Sequence, residues 1–272
     1  MADADARSGR VDAAKLRELL EQVRAGGTGV DDAVAALRHM PFADLGYALV
    51  DHHRALRQGV PEVIYGEGKS AEQIVGIARE LSRDGGNVLV TRLDAQKVEA
   101  IQAALPAFRY MQSARVGTIE QAPIPPLSKV PAALVTAGTS DLAVAEECAE
   151  TMRMLGVPFE RTYDVGVAGI HRLLNRKSAL EKASVVIVVA GMEGALPTAV
   201  GGLVDVPVIA VPVNCGYGAA LSGFTAMFCA LTSCASGVLV CNIDNGFGAA
   251  FAAARFMRAA GRMAASGGAG AP

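Results

Sequence analysis

A chain of 272 residues, 51% hydrophobic and 19% charged, can bury one large core or two ordinary ones, which excludes a globally disordered protein. A formal net charge of −2 with no basic stripe argues against nucleic acid or an anionic membrane surface as the main partner. No apolar run reaches the roughly 20 residues of a membrane span, MADADARSGR holds no apolar signal region, and five cysteines without a CxxC or zinc-spaced Cys/His pair argue against a disulfide framework or structural zinc, so a cytoplasmic protein is expected.

Residues 1–41 read as a mobile tail, residues 1–10, and two amphipathic helices, Val11–Arg24 and Asp31–His39, split by AGGTG. Residues 42–120 alternate strand and helix and predict a small α/β domain. Its strands are Leu45–Val50, PEVIYG, NVLVTRL and RYMQSARVGTIE; its helices are GKSAEQIVGIARELSRD and DAQKVEAIQAAL, the second ended by Pro106. Within it, GEGKS is not a true P-loop, because Val63 stands where the pattern needs glycine, although Lys69 could still contact a phosphate. His52 and His53, beside Arg54 and Arg57, have the wrong spacing for metal ligands on one helix face and read as polar surface.

Residues 121–131 form the predicted linker, because Pro123, Pro125, Pro126 and Pro131 prevent both helix and central strand there. Residues 132–262 then predict five strands, AALVTAG, VPFERTYDV, SVVIVVAG, PVIAVPV and GVLVCNI. Helices are expected at about 141–155, 168–181, 195–203, 219–233 and 246–262. Nearly continuous Val/Ile strands imply a parallel sheet covered on both faces. The expected fold class is α/β: a flavodoxin-like three-layer C-terminal domain with a parallel sheet of about five strands, plus a smaller N-terminal α/β domain. Residues 263–272 are low in complexity and expected to be disordered.

The turns that follow the five strands are all rich in glycine: AGTSD, YDVGVAGIHR, AGMEGALP, VNCGYGA and NIDNGFGA. Read blandly, each glycine only permits a tight turn. Five such turns on one edge of one sheet favour a nucleotide-sized ligand there. The first offers Gly138, Thr139, Ser140 and Asp141 at a helix start suited to phosphate, although Ser140 or Asp141 could equally be a simple N-cap. The others offer Asp164, His171 and Arg172, then Gly191, then Gly216, Tyr217 and Gly218, then Asp244, Asn245 and Gly246. Cys148, Cys229 and Cys241 sit in apolar segments and read as core residues. By topology alone Cys215, in a glycine turn, is preferred over Cys234 as a reactive thiol. Cys234 ends a helix and precedes the fifth strand, a place that disfavours a thiolate.

The motifs GTSD, GIHR, AGMEGALPTAVGGLVDVPVIAVPV and SCASGVLV resemble the aminoimidazole ribonucleotide carboxylase/mutase fold of purine synthesis. The longer run from about Phe42 to Arg258, with DHHRALRQGVPEVIYGEGKS in front and NCGYGA, TSCASGVLV and NIDNGFGAAF behind, resembles the larger LarB family, the carboxylase/hydrolase of nickel-pincer nucleotide cofactor biosynthesis. The purine enzymes are shorter, lack the front domain and carry AHLP where this chain reads GALP. The resemblance implies an enzyme that carboxylates the pyridinium of nicotinic acid adenine dinucleotide at C5 and cleaves its phosphoanhydride. CO2 or bicarbonate is the implied co-substrate and Mg2+ the implied cofactor, with Asp141, Asp164 and Asp244 as open candidates for its ligands. The resemblance implies Cys234 as nucleophile, overruling the preference for Cys215, and Glu193 as the active-site acid or base. It also implies a homo-oligomer, an octamer with sites at subunit contacts. An aminoimidazole ribonucleotide carboxylase/mutase and a non-catalytic nucleotide-binding module are the alternatives.

Overall fold

The computed structural model describes residues 13–38, 42–52, 54, 58–83 and 85–267. The expected tail at residues 1–10, His53, Arg57 and the last five residues lie outside the described residues. The chain divides into two compact units between Pro123 and Ile124.

In the first unit, α1 (Ala13–Arg24) and α2 (Val30–Arg38) precede a small hairpin of β1 (Ala43–Asp44) and β2 (Leu49–Val50). The segment 45–50 thus turns back on itself rather than forming one strand. Gly46, at φ +79°, makes the reversal, and its N–H donates to Asp44 Oδ1 at 2.7 Å. A four-stranded sheet follows, in the order β3 (Ile64–Tyr65), β4 (Val88–Thr91), β6 (Val116–Ile119), β5 (Arg109–Met111). Only β3 and β4 are parallel, joined by α3 (Ala71–Ser82). Helix α3 starts where Ser70 and Gln73 close a capping box, and it buries Ile74, Ile77, Ala78 and Leu81 along one stripe. Helix α4 (Val98–Ala104) follows β4. RYMQSARVGTIE is not one strand but the antiparallel pair β5–β6, reversed at Arg115, φ +52°.

His52 is not at the surface as expected. It is buried, with Nε2 3.0 Å from Glu80 Oε1, and Arg83 reaches the other oxygen at 3.1 Å. Lys69 is half-buried beside a loop whose serine hydroxyl is already used by the helix cap.

In the second unit, five parallel strands lie in the order β11 (Val238–Val240), β10 (Val208–Pro212), β9 (Val186–Ala190), β7 (Ala132–Thr136), β8 (Phe159–Thr162). This is the flavodoxin-like order, second-first-third-fourth-fifth. The three inner strands are buried along their whole length, as their unbroken Val/Ile/Ala sequence requires. On one face Leu173 of α6 (Ile170–Leu174), Leu180 of α7 (Lys177–Leu180), and Leu196 and Val200 of α8 (Leu196–Gly201) pack on Val186, Val188 and Val208. The alternate residues Ile187 and Val189 are left to the other face, where α5 (Leu142–Met154) and α10 (Gly246–Gly267) pack on each other and on the sheet.

Two predicted helices are interrupted. The one at 168–181 is α6 and α7 with a break at Asn175–Arg176. The one at 219–233 begins as a tight Gly218–Gly223 segment with Leu221 and Ser222 left-handed, before α9 (Phe224–Leu231). Helix α10 runs past residue 262 to Gly267, because Met263 and the alanines after it are good helix formers.

Candidate active site

Strands β7 and β9 are neighbours in the sheet, but the chain leaves them in opposite directions, toward β8 and toward β10. Their carboxyl ends therefore flank a topological switch point, where open parallel sheets bind ligands. A cleft of about 200 Å3 opens there. Ala137, Gly138, Ser140 and Asp141 line it from the turn after β7. Gly166, Val167 and Ala168 line it from the turn after β8, and residues 190–193 with Ala195 and Leu196 from the turn after β9.

Glycine is required at two walls. A Cβ on Gly191 would stand 2.8 Å from Cys215 Cβ, and one on Gly166 2.8 Å from Ala137 O. Ser140 and Thr139 are exposed at the rim. Asp141 is only 2% exposed. Its Oδ2 accepts the Gly138 N–H at 2.8 Å and its Oδ1 the Gly191 N–H at 3.1 Å. Burial pushes its carboxyl above the ordinary aspartate value, and the backbone N–H groups pull partly the other way.

Glu193 projects from the next turn and is exposed at the cleft. Its turn is rigid: Met192 is left-handed at φ +54°, the Met192 N–H donates to Cys215 O at 3.0 Å, and Gly194 lies so close to Ala226 that a Cβ would stand 2.6 Å from its Cα. At the β8 wall, Asp164 is held left-handed at φ +58°, its N–H donating to Thr136 Oγ1 at 3.1 Å. Its carboxylate pairs with Arg172 at 2.7 Å. His171 is exposed on α6.

Two family models match the chain: a LarB/PurE-like N-terminal domain over residues 42–121 and AIR carboxylase over residues 132–266. An uncharacterized protein of Methanocaldococcus jannaschii is 36% identical over 244 residues, covering 86% of this chain and 93% of that one. The chain belongs to the LarB family. It therefore sits among carboxylase-type proteins. The N5-carboxyaminoimidazole ribonucleotide mutase of the same archaeon is 38% identical over 84 residues, 30% of this chain and 51% of that protein. The crystal structure of a single-substitution variant of Treponema denticola PurE2 overlaps 50% of this chain and 92% of that chain at 21% identity, with a TM-score of 0.35.

The sequence-derived candidates of this LarB-family chain do not all meet. Gly138, Ser140, Asp141, Gly191 and Glu193 line one cleft, whereas Asp164 and Arg172, paired with each other, are not among its lining residues. Gly216, Tyr217, Gly218, Asp244, Asn245 and Gly246 are not among its lining residues. Asp244 Oδ1 accepts the Asn214 N–H at 2.8 Å, Asn245 Oδ1 accepts the Gly248 N–H at 2.8 Å, and Gly246 lets α10 approach the Val144 carbonyl. Tyr217 is 84% exposed.

Cys234 is exposed in the segment before β11 and does not line the cleft of its own chain. Its neighbour Ser233 bonds through Oγ to Thr198 Oγ1 at 2.8 Å, two residues along α8 from the cleft-lining Leu196. Cys215 is half-buried behind Gly191. Burial raises the thiol of Cys148, which is buried as a core residue should be, and that of Cys241, although Cys229 and Cys241 are only half-buried rather than in the core as expected.

The three aspartates named as possible magnesium ligands are spread over different turns, and each carboxylate is engaged with backbone N–H or arginine. Among the described residues no three His, Cys, Asp or Glu side chains converge on one point. The described residues thus form no all-protein cage, and a magnesium ion here would be held in the usual way, by one or two carboxylates together with substrate phosphates. Among the described residues, no helix is long and apolar enough to cross a membrane.

Sequence reasoning missed Gly166, Val167, Ala168, Met192, Ala195 and Leu196 as cleft walls. They lie in the same glycine turns that marked the edge. Being apolar or backbone-only, they carry no chemical signal of their own.

Proposed function

We propose that this protein carboxylates the pyridinium ring of nicotinic acid adenine dinucleotide at C5 and hydrolyses the phosphoanhydride, giving pyridinium-3,5-biscarboxylic acid mononucleotide and AMP. The observation that carries the reading is the tandem of a LarB/PurE-like N-terminal domain and an AIR carboxylase domain in one chain. The glycine-walled cleft at the switch point supports it as a place for the nucleotide.

The chemistry calls for a thiol and a base. A pyridinium is too electron-poor to attack CO2. In this reading the Cys234 thiolate adds to C4, the C4–S bond forms, and the ring becomes a neutral dihydropyridine whose C5 is an enamine carbon. C5 attacks CO2, forming the C–C bond and leaving an iminium at N1. A base takes the C5 proton, the nitrogen lone pair expels the thiolate, and aromaticity returns. Glu193 is the carboxylate at the cleft suited to that proton or to the water that cleaves the anhydride, and general base catalysis supplies about 10²–10⁴-fold.

Cys234 lies outside the cleft of its own chain, so the reading includes a homo-oligomer, an octamer, in which it serves an adjoining copy's cleft. Phe224, Phe228 (54% exposed) and Leu231 (60% exposed), on the helix just before Cys234, support association, because apolar side chains in such number favour cover by another surface.

Incubation with the dinucleotide and bicarbonate, followed by mass measurement of products and of intact protein, tests the reading. A pyridine adduct on Cys234 and a carboxylated mononucleotide are expected. Full carboxylation by a Cys234→Ala protein would overturn the mechanism, and full activity in a monomer would overturn the shared site. The local similarity to the mutase favours a second reading, a carboxylase/mutase acting on an aminoimidazole ribonucleotide. Product formed from that substrate alone would select it.

A further inference from the structure

We infer that Asp141 is a positioning residue: its carboxylate ties the turn after β7 to the turn after β9 and so holds Glu193 at the cleft, without itself touching the substrate. The catalytic part of this inference rests on the carboxylase reading; the structural part does not.

Both carboxylate oxygens are already used. One accepts the Gly138 N–H at 2.8 Å and the other the Gly191 N–H at 3.1 Å, and the residue is 2% exposed. The two donors belong to different turns, far apart in sequence. Hydrogen bonds to an ionised acceptor are about twice as strong as neutral ones, so the ionised carboxylate links the two turns more firmly than a neutral side chain would. Gly191 stands two residues before Glu193. The rest of that turn is held from the other side, by Met192 N–H on Cys215 O and by Gly194 packed on Ala226. Asp141 thus supplies the support on the β7 side.

The full chain carrying Asp141→Asn tests this. An amide side chain keeps the shape but cannot accept from both N–H groups. Hydrogen–deuterium exchange in peptides spanning 137–141 and 190–194 is expected to quicken at least about tenfold while β7 and β9 stay protected. The kcat of carboxylation is expected to fall about 10²-fold, as for displacement of a reacting group by about 1 Å, with KM changed far less.

Unchanged exchange in both peptides overturns the inference. So does quickened exchange with kcat intact, and so does a rise in KM alone, which marks Asp141 as a direct substrate contact. If the variant does not fold, the wild-type chain decides by NMR. The Gly138 and Gly191 amide resonances should shift together through one titration above the ordinary aspartate value, and insensitivity of either overturns the link. A wild-type protein that carboxylates nothing defeats the functional reading while the exchange result still judges the tie.

Discussion

The turns after β7 and β9 and the turns after β10 and β11 are built from the same parts. Each pair contains glycines, a left-handed residue (Met192 or Asp244) and an aspartate whose carboxylate accepts a backbone N–H of the neighbouring turn. The cleft described above lies at the first pair. Between β7 and β9 the chain departs in opposite directions and leaves a gap. Beside β10 and β11 the gap is filled: a Cβ on Gly223 would stand 2.9 Å from both Ile243 Cγ2 and Val213 O. A glycine–aspartate turn at the carboxyl edge is therefore a brace by default, and strand order decides which brace also borders a site.

The sharpest break of this comparison is Glu193→Gln against any change at the β11 turn. Glu193→Gln should lower kcat of carboxylation by about 10²–10⁴-fold in a steady-state assay, the usual worth of a general base. Asp244→Asn should leave a rate far above that of Glu193→Gln, and equal losses would erase the distinction between the two pairs.

Next in size is Gly191→Ala. Its methyl would meet Cys215 Cβ at 2.8 Å, so overpacking should cost about 1–3 kcal/mol in urea unfolding and weaken ligand binding together. Gly218→Ala, with nothing within 4 Å but φ +56°, should cost about 1–2 kcal/mol through backbone strain alone and leave binding intact.

A smaller effect follows from the raised carboxyl of Asp141. Its folded-state affinity for a proton exceeds the unfolded one, so it favours the folded state below the ordinary aspartate value, and that contribution is lost as pH rises through the raised value. The stability of the wild type minus that of Asp141→Asn should thus fall with rising pH in that window, by at most about 1.4 kcal/mol per pH unit. A difference that rises instead would mean the N–H bonds outweigh burial.

The smallest is the brace alone. Asp244→Ala, which removes the acceptor, should cost about 0.5–1.5 kcal/mol, the net value of one hydrogen bond, read from thermal or urea unfolding.

Much of this molecule is legible without coordinates. The run VVIVVA announces a buried parallel strand, and the prolines after Ala122 announce a break in regular structure. The segments that mislead are those where a reversal hides inside an apolar stretch. RYMQSARVGTIE reads as one strand because nothing but Arg115, a residue with no turn preference, marks its bend. Ala219–Ser233 reads as one helix because Leu221 and Ser222 take left-handed angles that their side chains do not advertise.

By itself the sequence determined the α/β class, the five Val/Ile strands, the glycine edge and the kinship with a carboxylase family, because hydrophobic periodicity, turn chemistry and shared motifs are local properties of the chain. Tertiary structure alone decided that Gly138 and Gly191 face one cleft, that Asp141 spends both oxygens holding them, that Asp244 braces a filled corner, and that Cys234 stands outside the cleft of its own chain. The physical reason is strand order. Which turns become neighbours depends on how strands pair across long stretches of sequence, and apolar runs as alike as β7, β9 and β10 do not specify their own neighbours.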